Sequence, residues 1–280
     1  MPTNRSVLVS VVFNYPPFKQ EEKHLRNNEI MNDKFKKSEF WDKLWKMTRS
    51  RRIGFKFKTG WDKPYLRYLF EKYFFCTDNL RILDVGCGLN DNFKSYFNNS
   101  NNCLFNFDIS REALLGLQRS IYHGAVPINV ESKFIQGTVT DLPFRSNYFD
   151  LVLCVQCLHY FSGGEKKKSL SEIIRVCKEG GCVILSVKNK YSPQALGFKV
   201  LQRLYPPMFP LPFFPFTYKE LIAELGKLQL IEIFGVIKIP KINYSLDLNL
   251  SLNKLYGKTR LALLFGMDIV LIAKKSNTLI

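Results

Sequence analysis

The chain has 280 residues, of which 46% are hydrophobic, enough for one sizeable α/β domain with extensions. Its 41 lysine and arginine residues against 24 acidic residues give a net charge of +17, which suits a nucleic acid, a membrane surface or an acidic substrate, although a lysine-rich composition alone would also produce it. Seven cysteines do not form the framework of a secreted disulfide scaffold, and no apolar run reaches the length of a membrane span. No signal-peptide pattern is present, so we expect a cytoplasmic protein.

Residues 1–75 precede the first strong strand pattern, and we expect them to form an N-terminal extension with helices, a candidate cap. Apolar side chains recur there at helical spacing, which predicts a helix packed on the core; they are Phe35, Phe40, Trp41, Leu44 and Trp45. A basic cluster with interleaved aromatics follows, at Arg49, Arg51, Arg52, Lys56 and Lys58. It is a candidate contact for a polyanion such as RNA, and a solvated loop or strand is the alternative.

The stretch Arg81–Gly88 predicts a buried strand that runs into a glycine turn. Ile82, Leu83 and Val85 suit a strand covered on both faces of a sheet. Gly86 and Gly88 then allow a sharp bend and the close approach of a ligand. Ligands of open α/β sheets bind at the carboxyl ends of the strands, so we expect the site here.

A second apolar run, Cys103–Phe107, ends in Asp108, which stands 20 residues after Gly88. A carboxylate at about this distance from the glycine turn reaches ribose hydroxyls. The alternative is a helix N-cap region, because Ser110 begins a helical pattern, and the two interpretations are compatible. A dinucleotide is disfavoured, since Asp91 stands where a third glycine belongs and would repel a pyrophosphate. S-adenosylmethionine carries no phosphate and avoids this repulsion.

Further elements follow in chain order. Periodicity and turn residues predict three more strands, two helices and a last strand pair; the ranges are Lys133–Gln136, Phe149–Cys154, Glu165–Cys177, Cys182–Val187, Thr217–Leu225, Leu228–Ile239 and Met267–Lys274. The stretch 188–216 is dense in proline and aromatic residues, so we expect a loop without a long helix that lines an apolar acceptor pocket or contacts lipid.

The motif Ile82-Leu-Asp-Val-Gly-Cys-Gly88 resembles the first motif of the class I S-adenosylmethionine-dependent methyltransferases. Four more segments resemble family segments in the same order: 107–110, 137–144, 149–154 and 176–185. The resemblance implies an α/β fold in residues 76–280, with a Rossmann-like, doubly wound, seven-stranded sheet that is mostly parallel and has an antiparallel last strand. Acceptor-side insertions are expected at 188–216 and 240–265. The chain departs from the family pattern at Asn90 and Thr138.

The resemblance also implies S-adenosyl-L-methionine as cofactor and a set of residues that bind it. These are Asp84, Gly86, Gly88, Asp108, Ile109, Thr138, Val139 and Val155. His159 follows the fourth strand and is the candidate general base, with a packing role as the alternative. Cys154 and Cys157 form a lone C-x-x-C without a second pair, so no metal site is predicted.

The predicted function is methyl transfer from S-adenosylmethionine to a small or lipophilic acceptor, with O-, N- and C-methylation all open. One alternative is an RNA methyltransferase that uses the basic N-terminal region. The other is a non-catalytic, cofactor-binding subunit that supports a partner, which the departures at Asn90 and Thr138 allow.

Overall fold

The computed structural model describes residues 9–12, 37–46, 63–74, 77–89, 101–123, 130–204, 213–226, 228–236 and 256–276. An eight-stranded sheet runs through this part of the chain, built from β1 (Val9–Val12), β2 (Arg81–Val85), β3 (Cys103–Asp108), β4 (Glu131–Gln136), β5 (Phe149–Val155), β6 (Cys177–Lys188), β7 (Leu228–Gly235) and β8 (Asp268–Lys275). The helices are α1 (37–46), α2 (Lys63–Tyr73), α3 (Arg111–Tyr122), α4 (Gly163–Val176), α5 (Pro193–Leu204), α6 (Tyr218–Glu224) and α7 (Arg260–Phe265).

The strand order is β1-β4-β3-β2-β5-β6-β8-β7. The pairings from β1 to β6 are parallel, whereas β8 runs antiparallel to both β6 and β7. The predicted fold class is therefore confirmed, with β1 added at one edge as a strand that the sequence did not predict. Because β2 to β5 are parallel neighbours, their carboxyl ends meet at one edge of the sheet.

Two apolar clusters cover the two faces of the sheet. In β2, Leu83 and Val85 belong to one cluster and Ile82 to the other, as the alternation of side chains along a strand requires. In β3, Phe107 and Leu104 divide in the same way. Burial on both faces explains why these strands are near-continuous apolar runs.

The expectation of a loop without a long helix at 188–216 is wrong, because α5 occupies Pro193–Leu204. Proline is tolerated at the first position of a helix, where its missing N–H would have no partner. The Ser192 hydroxyl accepts from the Ala195 amide at 3.0 Å and so caps this end. The next proline is Pro206, beyond the last residue of the helix.

The helix predicted at Thr217–Leu225 is present as α6 and begins with a capping box, since Thr217 Oγ1 accepts from Glu220 N at 3.1 Å and Glu220 Oε2 accepts from Thr217 N at 2.8 Å. Asn90 with the helix expected after it, the basic cluster at Arg49–Lys58, and residues 237–255 lie outside the described residues. None of the described helices combines the length and the apolar character that crossing a membrane requires.

Candidate functional site

The turn after β2 depends on two glycines with left-handed backbone. Gly86 has φ +70° and Gly88 φ +52°, a conformation that costs residues with a Cβ atom about 1–2 kcal/mol. A Cβ on Gly86 would lie 2.5 Å from Cys157 Sγ, so glycine is also needed here to leave room for the chain that follows β5. The amides of Gly86 and Cys87 both donate to Phe107 O, at 2.7 and 3.1 Å. The turn is thereby attached to the end of β3.

Asp108 ends β3 and binds the same turn through its side chain. Its Oδ2 accepts from Gly88 N at 2.8 Å, and its Oδ1 accepts from Ser110 N at 2.8 Å. Burial raises the pKa of this carboxyl to about 6 although backbone hydrogen bonds lower it, and the charge of Asp42 raises it further. A carboxylate has about four acceptor positions, so capacity remains for hydroxyl donors such as those of a ribose.

The loop after β4 joins the same strand ends and is clamped by α4. Gly137 N donates to Asp108 O at 3.0 Å. Arg175 donates to Leu142 O at 2.9 Å, and Glu172 accepts from Leu142 N at 2.8 Å. Arg175 and Glu172 also form an ion pair at 2.7 Å. The clamp fixes the loop at 137–144, one of the segments that resemble the methyltransferase family.

Two predicted cofactor residues lie in this loop. Val139 is buried and Thr138 is partly exposed. The Thr138 hydroxyl lies 3.0 Å from the Thr140 hydroxyl. The side chain of Thr138, where the chain departs from the family pattern, is therefore held by a neighbouring side chain.

The chain bends sharply where β5 ends. Gln156 has φ +55°, its amide donates to Ser186 O at 2.8 Å, and its side-chain Nε2 donates to Ser186 Oγ at 2.8 Å. The hydrogen bond to Cys157, together with burial, raises the pKa of the Cys154 thiol well above its usual value, so this thiol stays protonated. Across the described residues, no group of three or more His, Cys, Asp or Glu side chains is arranged to hold a metal ion.

Helix α1 spans the carboxyl edge of the sheet from α3 to α4. Asp42 Oδ1 accepts from Ser110 Oγ at 2.5 Å and from Glu112 N at 3.1 Å, so its carboxylate adds to the cap of α3. At the other side Lys37 forms an ion pair with Glu165 at 2.7 Å, in the first turn of α4.

The inner face of α1 covers the glycine turn. A Cβ on Gly88 would lie 2.9 Å from Trp45 Cζ2, so the indole of Trp45 packs directly on Gly88, where a larger residue would clash with it. Ser38 Oγ donates to Ile109 O at 3.1 Å, and Gln136 Nε2 donates to the same carbonyl at 3.0 Å. Ile109, a predicted cofactor residue, therefore lies beneath α1.

A row of ring side chains, which we call the aromatic wall, continues from α1 to α5. The ring centroids are 4.9 Å apart for Trp41 and Tyr160, 4.3 Å for Tyr160 and His159, 5.8 Å for His159 and Phe213, and 4.6 Å for Phe213 and Phe198. The aromatic wall makes this side of the edge apolar, in contrast to the carboxylate at the end of β3.

His159 is the imidazole member of the aromatic wall. Its ring is buried, and Nδ1 has no hydrogen-bond partner in the described part of the chain. Burial, and then the positive charges of Lys188 and Lys166, hold the pKa of His159 well below its ordinary value of 6.5. His159 is therefore neutral at pH 7 and able to accept a hydrogen bond or a proton.

Two other predicted residues lie within the sheet. Asp84 is buried in β2, in register with Asn106 and Leu153 of the neighbouring strands. Val155 is buried at the end of β5, in register with Ser186. The structure thus brings Gly86, Gly88, Asp108 and Ile109 into one group. Asp84 and Val155 lie buried in the strands that lead to this group.

Sequence reasoning missed five side chains that hold the site together. They are Ser38, Asp42 and Trp45 of α1 and Glu172 and Arg175 of α4. The aromatic spacing in 35–45 predicted a helix, but no local pattern indicates which partner such a helix contacts.

Residues 83–185 match the family model described as a methyltransferase domain. An uncharacterized methyltransferase, YcgJ of Bacillus subtilis (strain 168), is 29% identical over 119 residues, which are 42% of this chain and 44% of that protein. The ubiquinone/menaquinone biosynthesis C-methyltransferase UbiE of Wigglesworthia glossinidia brevipalpis is 33% identical over 127 residues, 45% of this chain and 47% of that protein. The chain thus spans less than half the length of the curated relatives that it matches.

Solved structures agree in fold. The magnesium protoporphyrin IX methyltransferase ChlM of Synechocystis PCC 6803, with bound SAH, superposes with a TM-score of 0.60 at 16% identity, covering 87% of this chain and all of that one. The family model over residues 83–185, together with this shared fold, confirms the resemblance to class I methyltransferases and, with it, S-adenosylmethionine as cofactor. The residues present fit this cofactor, because the buried Asp108 carboxylate stands against the glycine turn with acceptor positions left for ribose hydroxyls.

Substitution of Gly86 tests the turn, with Gly226 as a matched control. Gly226 has φ +56° but a Cβ there would meet nothing within 4 Å, so Gly226→Ala carries only the backbone cost of about 1–2 kcal/mol. Gly86→Ala adds the overlap with Cys157, for which we expect about 1–3 kcal/mol more in urea unfolding. Adding Cys157→Ala to Gly86→Ala should recover part of this difference. Equal losses in the two glycine variants would contradict the close approach.

Asp108→Asn tests the ribose assignment. We expect S-adenosylhomocysteine affinity to fall by about 1.5–3 kcal/mol, because a charge-assisted acceptor is lost. The wild-type affinity should weaken below about pH 6, where the Asp108 carboxyl gains a proton, and the variant should lack this dependence. Calorimetric titration across pH measures both, with Glu71→Gln on the exposed face of α2 as control. Wild-type affinity in the Asp108→Asn variant would exclude the assignment.

The raised pKa of Asp108 also determines the direction in which the free energy of unfolding changes with pH. Between the ordinary value of 3.8 and about 6, the native state holds more protons at this group than the unfolded state. Its contribution to the free energy of unfolding is therefore greatest below pH 3.8 and is lost as the pH rises through about 6. Comparing wild type with Asp108→Asn in urea unfolding at several pH values should isolate this slope.

Proposed function

We propose that this chain, in which residues 83–185 are a methyltransferase domain, transfers the methyl group of S-adenosylmethionine to a lipophilic, ring-bearing acceptor. The aromatic wall carries this proposal. It presents four aromatic rings and one buried imidazole at the carboxyl edge of the sheet, and rings of this kind stack on flat apolar molecules. A strongly polar acceptor would have to lose its hydration against this surface.

The cofactor side would be held by the ends of β2 to β4. The backbone of the turn at Gly86 and Gly88 would border the amino-acid portion of the cofactor, and Asp108 would accept hydrogen bonds from its ribose hydroxyls. The loop that carries Thr138 and Val139 borders the adenine. The bound cofactor would supply a methyl group on a positively charged sulfur. An electron pair of the acceptor would bond to the methyl carbon as the carbon–sulfur bond breaks. Alignment of the two reactants is the main contribution that such a reaction needs from the protein.

His159 would take up the proton that an acceptor hydroxyl or amine loses when its new bond to carbon forms. Its neutral state at pH 7 and the lack of a hydrogen-bond partner for Nδ1 among the described residues support this role. Lys188 forms an ion pair with Asp268 at 2.8 Å, which holds its positive charge near the His159 imidazole. That charge favours return of the proton to solvent after transfer.

The name of one relative agrees with a lipophilic acceptor. UbiE, which is 33% identical over 45% of this chain, is named for C-methylation in ubiquinone/menaquinone biosynthesis. RNA methylation is the alternative that the basic N-terminal sequence allows. Its candidate residues, Arg49, Arg51 and Arg52, lie outside the described residues.

Two steps test the proposed function. First, calorimetric titration with S-adenosylhomocysteine, against a nicotinamide dinucleotide as control, should show binding of the former alone. Second, S-adenosylmethionine with a labelled methyl group is offered with a prenylated phenol in detergent micelles, with phenol in water, and with total RNA. Label in the prenylated phenol is the expected result. Label in RNA alone, or cofactor binding with no transfer to either phenol, would overturn the choice of acceptor.

His159→Phe tests the proton acceptor while keeping a ring in the aromatic wall. We expect methyl transfer to fall by about 10²–10⁴-fold, with S-adenosylhomocysteine affinity unchanged. In the wild type the acidic limb of kcat/KM should lie below pH 6.5, because the pKa of His159 is held below that value. Phe213→Leu, which changes the wall without removing a titrating group, should keep this limb. A His159→Phe variant with wild-type kcat would leave the imidazole only a packing role.

A further inference from the structure

Helix α5 turns one face to the site and leaves another face exposed. Ala195 is buried, and Phe198 belongs to the aromatic wall. On the outer side four apolar side chains are between 41% and 63% exposed. We call this group the outer face of α5; it consists of Leu196, Val200, Leu201 and Leu204.

Two cations lie along one side of the outer face. Lys199 and Arg203 lie on the same helix, both exposed, at positions that the helical period places between the outer face and the buried face. Between Glu179 and Glu220 the sequence contains no acidic residue and five basic ones. The apolar outer face is therefore bordered by positive charge in a chain whose net charge is +17.

From this arrangement we propose that the outer face of α5 docks on an anionic phospholipid bilayer. An amphipathic helix with apolar and cationic sides lies in the plane of the lipid headgroups, and positive charge attracts it to acidic lipids. The 12 residues of α5 are too few to span the apolar layer, so the helix rests on the surface. None of the described helices is suited to crossing a membrane.

A second copy of this chain is a poorer occupant. Two copies would bring Lys199 and Arg203 of each together, in molecules that each carry a charge of +17. The four apolar side chains on three turns of helix also offer little area beside the roughly 800 Å² per partner of a standard interface. An anionic bilayer meets both the apolar side chains and the cations.

The position of α5 connects docking to the site. Helix α5 follows the carboxyl end of β6, and its Phe198 reaches His159 through Phe213. Asn189, just before α5, is buried and donates to Leu263 O at 3.0 Å and Leu264 O at 3.1 Å of α7, which also exposes Leu261 and Phe265. Docking would place the aromatic wall beside the bilayer, where a lipophilic acceptor could reach it. The use of the wall for an acceptor rests on the proposed function, whereas docking itself does not.

Co-sedimentation of the full chain with vesicles tests the proposal. We expect binding to phosphatidylcholine vesicles that contain phosphatidylglycerol, at least tenfold weaker binding to phosphatidylcholine alone, and weakening with added salt. The variant Leu196→Gln/Val200→Gln/Leu204→Gln keeps good helix formers and should lose at least tenfold of the affinity. Lys199→Gln/Arg203→Gln should lose about fivefold for each charge removed.

Tyr122→Gln is the matched control. Tyr122 is 80% exposed at the end of α3. This helix packs on β3 and β4, whereas α5 follows β6, so replacement of Tyr122 should leave vesicle binding unchanged. The proposal is overturned if the wild type does not bind anionic vesicles, or if the triple variant binds as well as the wild type. It is also overturned if the triple variant only changes the oligomeric state in sedimentation, since the outer face would then join copies of the chain.

Binding of S-adenosylhomocysteine is measured for each variant in parallel. Retained binding shows that the variant is folded and that the cofactor site is intact. Vesicle binding without any affinity for S-adenosylhomocysteine would support docking and count against the proposed function. The reverse result would count against docking alone.

Discussion

Three successive amides that converge on the end of one strand are the constraint on which the site depends. Gly86 N and Cys87 N donate to Phe107 O, and Gly88 N donates to the Asp108 carboxylate. Such convergence needs left-handed backbone on both sides of Cys87, which glycine adopts without a steric penalty. The Asp108 carboxylate is thereby fixed before any ligand arrives, so little ordering cost is left for cofactor binding.

The two sides of the carboxyl edge have opposite chemistry. The side formed by β2 to β4 offers backbone amides and a buried carboxylate, as a polar nucleoside requires. The side formed by the chain after β5, together with α5, offers the aromatic wall, which includes the imidazole of His159. Cys157 stands at the boundary, since it touches Gly86 and is followed two residues later by His159. A donor and an acceptor of different polarity can therefore be held next to each other.

Local sequence predicted the parts of the site that local physics determines. The apolar run of β2, the glycine turn and the spacing to Asp108 each lie within a short stretch whose residues leave few alternatives. The contacts of α1 could not be predicted, because Asp42 meets Ser110 across 68 positions of the chain and no periodic pattern links them. Helix α5 was missed for another reason. The number of prolines in 188–216 argues against a helix, but Pro193 occupies the first helical position, where proline is well tolerated.

The positions of two tryptophans give the protein a built-in optical reporter. The sequence has three tryptophans; Trp41 and Trp45 lie on α1, and Trp61 lies outside the described residues. Trp41 packs on Tyr160, and Trp45 lies on Gly88. Indole emission moves to longer wavelength in water, so release of α1 from the edge of the sheet would redden the fluorescence of both rings. The wavelength of tryptophan emission therefore reports whether α1 is packed on the edge of the sheet, without an added dye.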